Sequence, residues 1–396
     1  MFYGITIALS IISALLSIPV AILFVEVIAS LNAVKPQALR AKGNSRKRVS
    51  VIVPAHNESA GVVPTISDIR PQLGAADRLI VVADNCSDDT AVMAAAAGAE
   101  VILRNDLSKI GKGYALGFGI NHLGLDPPDF VVFVDADCRV QADMVTRLRE
   151  VCDELNRPVQ ACFLMKTSQN SPIDHRFAEF AWIVKNWVRP LGLRYLDCPV
   201  QLMGTGMIFP WDVINSVPLA SGNLVEDLKL GLDLAAIGKA PYFFPFVVGS
   251  SVFPLSSKGT ASQRQRWVQG HLGMIARAPR LLVQAVITRN IDLLVLTLDL
   301  LVPPLSLLGL LISAFFALSC LNVFFDSSVA PVVIGGANLL LLALAIYFAW
   351  SKFGREVMPA RVFLSIGSLI VKKIILYGKL LVGRTTTSWI RTDRKA

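Results

Sequence analysis

Charge is scarce in this sequence. Asp, Glu, Lys and Arg make up 17% of its 396 residues, against 54% hydrophobic residues. Soluble domains carry about 25% charged residues, so the composition excludes a chain that is soluble throughout. It points to a membrane protein carrying a soluble domain. The six cysteines, at 86, 138, 152, 162, 198 and 320, form no C-x-x-C pair and have no His at zinc spacing. That excludes a zinc cage and a disulfide framework, and they read as free thiols in a reducing compartment. No G-x-G-x-x-G follows the first strand, which excludes a dinucleotide fingerprint. Gly111-Lys112-Gly113 is no P-loop, because Asp106 stands where the leading Gly belongs. Internal repeats are absent, and Ala94–Ala97 is the only low-complexity run. The net charge of +9 does not indicate nucleic acid. The basic residues cluster beside apolar runs, as in Arg40–Arg48 and Arg384–Lys395, which is the pattern of membrane topology.

Residues 1–25 carry no charge, enough for a helix to cross a hydrocarbon core of about 30 Å. A cleaved signal peptide would need a basic segment that Met1–Gly4 lacks. Lys35, Arg40, Lys42, Arg46, Lys47 and Arg48 follow the run, so residues 1–31 are expected to anchor the chain with its N-terminus outside. From Val49 short Val/Ile strands alternate with helices, which predicts an α/β domain with a mixed, mostly parallel sheet over 48–258. Strands are expected at Val49–Val53, Leu79–Val82, Val101–Leu103, Val131–Asp135 and Val159–Leu164. Segment 259–290 has the mixed Trp, Leu and Arg content of a helix lying in the membrane interface. Residues 291–351 contain two charge-free runs, Leu300–Phe325 and Ser327–Ser351, which predict a transmembrane hairpin with a kink at Pro303 and Pro304. Residues 361–384 place Arg361, Ser365, Ser368, Lys372 and Lys379 on one helical face, as in an amphipathic interfacial helix followed by a basic tail.

Polar residues gather at the ends of the strands. Phe130–Arg139 reads as a buried strand running into Asp135 and Asp137. In open α/β sheets ligands sit in the crevice beyond such tips, and Mg²⁺ is held by one or two carboxylates plus substrate phosphates. The pair suits a metal–diphosphate site; an Asp there suits a helix N-cap equally well. Pro54-Ala55-His56-Asn57-Glu58 ends the first strand and Asp84 the second, where a base or ribose would meet a carboxylate. Lys112 opens a helix within reach of a phosphate. A lysine and several acids at neighbouring tips favour one shared crevice over a set of unrelated caps.

The order of these pieces resembles the family 2 glycosyltransferases, the inverting GT-A enzymes that include cellulose, hyaluronan and chitin-oligosaccharide synthases. The resemblance covers about residues 48–270 and the membrane architecture around them. It implies that Ala55, Asn57 and Glu58 hold the uridine and that Asp84 reads the uracil. Ala83 departs from the second Asp often found there. It implies that Asp135-Ala136-Asp137 is the D-x-D motif, with Asp137 the principal ligand of Mg²⁺ or Mn²⁺ and Asp135 nearer the ribose and phosphate. Gly204-Thr205-Gly206 resembles the loop bordering the acceptor sugar. Glu226-Asp227 matches the E-D pair, with Asp227 as general base and Glu226 the second candidate; a helix cap is the alternative for Asp227. Gln263-Arg264-Gln265-Arg266-Trp267 matches Q-x-x-R-W of membrane-embedded members. Gln263 and Arg266 would then meet the donor, and Trp267 the acceptor sugar or the membrane interface.

The chemistry calls for the same residue types. A nucleoside diphosphate leaving group needs a cation beside it, and an inverting attack needs a carboxylate to take the acceptor's proton. The expected protein is a multi-pass inner- or plasma-membrane enzyme with a cytoplasmic GT-A domain, inserted between transmembrane helices. It would use a UDP-sugar to build a β-linked polysaccharide processively. The alternatives are single addition to a lipid-linked acceptor and, less expected, an inactive scaffold. A homo-oligomer or accessory export proteins are further expected partners besides the bilayer.

Overall fold

The structure is a computed structural model that describes residues 2–33, 47–167, 173–253, 257–326, 328–360 and 378. The amphipathic helix expected at 361–384 lies outside the described residues. In chain order, α1 (Phe2–Asn32) precedes β1 (Val49–Ala55), α2 (Val62–Ile69), β2 (Arg78–Asp84), α3 (Thr90–Ala96), β3 (Glu100–Arg104), α4 (Lys112–Leu123), β4 (Phe130–Phe133) and β5 (Arg139–Val140). Then come α5 (Met144–Leu155), β6 (Val159–Lys166), α6 (Ile173–Ile183), a π-helical turn at Val184–Val188, α7 (Arg189–Tyr195), β7 (Met207–Pro210), α8 (Trp211–Asn215), α9 (Glu226–Ala236) and β8 (Tyr242–Val252). The chain continues through α10 (Ser257–Ile275), α11 (Ala278–Ile287), α12 (Ile291–Leu300), α13 (Leu305–Asn322) and α14 (Ala330–Ala349).

The eight strands form one mixed sheet in the order β3-β2-β1-β4-β7-β6-β8-β5. The first four are parallel, so Ala55, Asp84 and the residues after Phe133 leave the sheet at the same edge. β7 runs antiparallel to β4 with Met207 opposite Phe133, which brings the loop preceding β7 to that edge too. β7 is only four residues long, too short for periodicity to separate from a buried helical turn. β8 contains Pro245, which argues against a strand in sequence. The sheet takes it at an irregularity, where the register jumps from Ala161↔Phe244 to Cys162↔Val248. Val51, Val53, Val81 and Val132 pack under one face with α2 and α5, and Ile52, Ile80, Phe133 and Phe209 under the other with α4. Each such side chain removes apolar surface worth about 1.5–3 kcal/mol from water, and that two-sided burial is what fixes the strand tips in place.

Among the described residues three helices are long and apolar enough to cross a membrane: Tyr3–Asn32, Leu305–Asn322 and Ala330–Gly354. Leu23 and Val27 of α1 pack with Leu308 and Ile312 of α13 and Leu342 and Ala345 of α14. Asn322 donates to Thr6 at 2.8 Å and Asn338 to the Ser13 carbonyl at 2.8 Å, tying the helices together through polar groups. The expected kink at Pro303 and Pro304 is a break instead. α12 ends at Leu300 and α13 starts afresh with Pro304 at its N-cap, because neither proline can donate to the preceding turn. The interfacial segment is likewise two helices, α10 and α11, joined at Arg277. Val283, Val286 and Ile287 of α11 are exposed, consistent with an apolar face turned outward.

Candidate active site

A cleft of about 220 Å³ opens at the carboxyl edge of the sheet. Its rim includes Ala55, His56 and Glu58 from the end of β1, Asp84 from β2, Lys112 from α4, and Asp135 and Asp137 beyond β4. Gly204, Glu226 and Asp227 close the opposite wall, and Gln263, Arg266 and Trp267 of α10 form the roof. The helix that follows the D-x-D stretch begins at Met144, so neither Asp135 nor Asp137 caps it.

Lys112 sits at the centre of this cleft. Its Nζ is 2.5 Å from Asp135 Oδ1 and 3.4 Å from Glu226 Oε1, and it donates to the Gly204 carbonyl at 2.6 Å. Gly204 has φ +90°, and a Cβ there would stand 3.4 Å from both Lys112 Nζ and Asp227 Oδ2. Only glycine allows this backbone shape and this approach of charges. Burial opposes the ammonium, but the carboxylates of Asp135 and Glu226 outweigh it and hold the Lys112 pKa above its ordinary value. Burial pushes the Glu226 carboxyl up to about 7, against Lys112 and helped by the charge of Asp227. Asp227 is also raised by burial, against Lys112 and Lys185. Asp227 is the second residue of α9, whose N-cap is Val225 with no side-chain cap bond, so the capping alternative fails; its Oδ1 accepts the adjoining Leu228 amide at 2.8 Å.

The ligand atoms of Asp135, Asp137 and Cys138 lie within 4.8 Å of one another. Cys138 is buried in the sheet's core, and burial raises its thiol pKa, so it stays a neutral thiol. The remaining set is two carboxylates, a hard-oxygen pair that fits Mg²⁺ or Mn²⁺ with positions left over for phosphate oxygens. Ser251 of β8 donates to Asp137 Oδ2 at 3.1 Å and orients it.

Asp84 is partly engaged: Arg104 donates to its Oδ1 at 2.6 Å, and Asn85 adds a second bond at 3.1 Å. Three residues expected at the ligand are placed otherwise. Asn57 does not line the cleft; in a left-handed conformation, φ 54°, its Oδ1 accepts the Ser87 amide at 2.7 Å. Thr205 is buried and its Oγ1 accepts the Asp135 amide at 3.0 Å, so it positions the backbone of the D-x-D stretch. Gly206 donates to the Phe133 carbonyl at 2.9 Å inside the sheet. Of that loop only Gly204 faces the cleft. Sequence reading missed Trp182, Lys185, Asn186 and His271, which also line it. The first three come from α6 and the π-helical turn, where no strand tip or motif marked them.

A model of the "Glycosyl transferase family group 2" matches residues 130–351, and one of "Glycosyl transferase family 2" matches 50–203. The chain belongs to glycosyltransferase family 2. Glucosyl-3-phosphoglycerate synthase of Mycolicibacterium smegmatis is 32% identical to it over 196 residues, 46% of this chain and 62% of that protein. The synthase of the same name from Mycobacterium tuberculosis is 38% identical over 97 residues, 23% of this chain and 29% of that protein. The chain thus matches less than two thirds of the length of either relative. A mannosyltransferase from Pyrobaculum calidifontis, solved with GDP-mannose and Mn²⁺, superposes with a TM-score of 0.50 at 17% identity. That superposition covers 87% of this chain and 99% of the other, and shares the fold. In this family member the expected GT-A-like mixed sheet is present.

Proposed function

We propose that this family member transfers a sugar from a nucleoside diphosphate donor, with inversion, to an acceptor hydroxyl presented at a membrane surface. The observation that carries the reading is the single ammonium of Lys112 spanning the D-x-D acids and the Glu226–Asp227 pair in one cleft. The two acid pairs occupy different environments, as a leaving-group site and a proton-accepting site require. Asp137 and Asp135 hold a divalent cation, which when bound neutralises charge developing on the departing diphosphate. Asp84 and His56 line the nucleoside end, and Arg266 adds a second cation over the acid cluster. Asp227 takes the acceptor's proton while Lys112 keeps Asp135 and Glu226 from repelling one another. The donor is read as a UDP-sugar. The catalytic domain is read as cytoplasmic and anchored by three spans with the N-terminus outside.

Processive synthesis of a β-linked polysaccharide draws support from Gln263, Arg266 and Trp267 in the roof of the cleft. Single addition to a lipid-linked acceptor draws support from a second, largely apolar cavity beside it. Membranes holding the protein are incubated with a panel of labelled UDP-sugars and GDP-mannose, with Mn²⁺ or Mg²⁺, and the products are sized. Transfer from one donor is expected. A ladder of lengthening chains identifies the polymerase, and one sugar on an extractable lipid identifies single addition. Absence of nucleotide release from every donor would overturn the transferase reading.

A further inference from the structure

Beside the catalytic cleft lies a second cavity of about 160 Å³. The two share Trp182, Lys185, Trp267 and His271 as a common wall. The far end of the second cavity reaches Leu23 of α1 and Pro303, Pro304 and Leu305 at the start of α13, so it joins the cleft to two of the helices able to cross a membrane. Its lining is mainly apolar, which suits a hydrocarbon chain better than a hydrated glycan.

Two cationic side chains, Lys185 and Arg189, line this space. Lys185 stands on the π-helical turn, a one-residue insertion of the kind that re-aims side chains at functional sites. Its side chain is exposed to the cavities although it lies deep among protein atoms. Among the described residues it makes no salt bridge, and its nearest recorded partner is the Trp182 ring, 5.7 Å from Nζ. Arg189, one turn on, is already held by Glu26 at 2.6 Å and Asp299 at 2.5 Å. His271 donates its Nε2–H to the Leu300 carbonyl at 3.1 Å. The charge of Asp227 reaches Lys185 without a salt bridge among the described residues, so the ammonium keeps donors for a further anion.

We propose that the second cavity admits the chain of a phosphate-bearing lipid acceptor from the membrane and that Lys185 binds its phosphate at the mouth of the catalytic cleft. The inference rests on the transferase reading of that cleft. Transfer to a hydroxyl of this lipid forms one C–O bond at the anomeric carbon and breaks the bond from that carbon to the diphosphate. The hydroxyl proton passes to Asp227 and the nucleoside diphosphate departs.

The test is binding of farnesyl phosphate, farnesol and inorganic phosphate to the full chain in neutral detergent, followed by native mass spectrometry. Farnesyl phosphate is expected to bind at least about tenfold more tightly than farnesol, the gain of one charge-assisted contact. Lys185→Met erases that preference, Lys185→Arg keeps it, and Leu305→Trp weakens both farnesyl compounds. Equal binding of farnesyl phosphate and farnesol, or a preference that survives Lys185→Met, overturns the proposal. Inorganic phosphate competing as well as farnesyl phosphate overturns the lipid assignment in favour of a free-anion site. A UDP titration with Mn²⁺ on the same protein separates the two readings. UDP binding without farnesyl phosphate binding defeats the lipid site alone, whereas loss of UDP binding defeats the transferase reading.

Discussion

Lys112 Nζ lies 2.5 Å from Asp135 Oδ1, bridging the start of α4 to the residues beyond β4. The same ammonium reaches Glu226 at 3.4 Å, so one positive charge serves carboxylates from two parts of the chain. Replacing it by methionine leaves three neighbouring acids without their cation. Lys112→Met is expected to weaken UDP binding and to increase the protein's dependence on divalent cation, read by titrating Mn²⁺ against nucleotide release. Unchanged Mn²⁺ dependence would remove Lys112 from the diphosphate site.

Asp137 is oriented by Ser251, which donates to its Oδ2 at 3.1 Å. Asp137→Ala is expected to abolish the Mn²⁺-dependent component of UDP binding in calorimetry. Ser251→Ala, which removes only the orienting hydroxyl, should weaken it by a smaller factor. Identical titrations for wild type and Asp137→Ala would refute the metal assignment.

In the proposed reaction Asp227 takes the acceptor's proton. Asp227→Asn is expected to lower transfer by about 10²–10⁴-fold, the usual contribution of a positioned base, with UDP affinity unchanged. Turnover at the wild-type rate would transfer the role to another residue.

The pH dependence has a defined sign. Burial, the largest cause, raises the Glu226 carboxyl from 4.5 to about 7, so the folded state binds this proton more tightly than the unfolded chain. The stability it contributes is fully present below about 4.5 and is lost as pH rises through about 7. Metal-free wild type should therefore lose more melting temperature across that window than Glu226→Gln, measured by differential scanning fluorimetry in detergent. Parallel curves for the two proteins would count against the shift.

Arg189 ties α7 to Glu26 of α1 and Asp299 of α12, all three buried. Gly192 lies so close to α1 that a Cβ there would sit 1.9 Å from the Glu26 carbonyl. Arg189→Met strands two buried carboxylates and should cost about 3–5 kcal/mol, seen as a large drop in melting temperature. Replacing Glu26, Arg189 and Asp299 together by Leu, Met and Leu should recover most of it, since a well-packed apolar set needs no partner. A triple variant as unstable as the single one would show that the triad is worth more than its packing.

The sequence by itself determined the elements whose signals are local. Val/Ile runs ending in Asp84 and in Asp135–Asp137 mark strands with polar tips, and the charge-free runs mark the apolar helices. Glu226-Asp227 at the start of α9 and Gln263, Arg266 and Trp267 on α10 were also legible, because each needs only a short spacing. What the tertiary structure decided depends on sheet register and helix packing, which no periodicity encodes. β7 running antiparallel to β4 puts Gly204 beside Lys112 and turns Thr205 onto the Asp135 backbone. Parallel pairing of β2 and β3 places Arg104 opposite Asp84, an ion pair between residues 20 apart. The π-helical turn after α6 brings Lys185 to the junction of two cavities. Side chains that act at a distance are positioned by the burial of others, and that burial exists only once the sheet has closed.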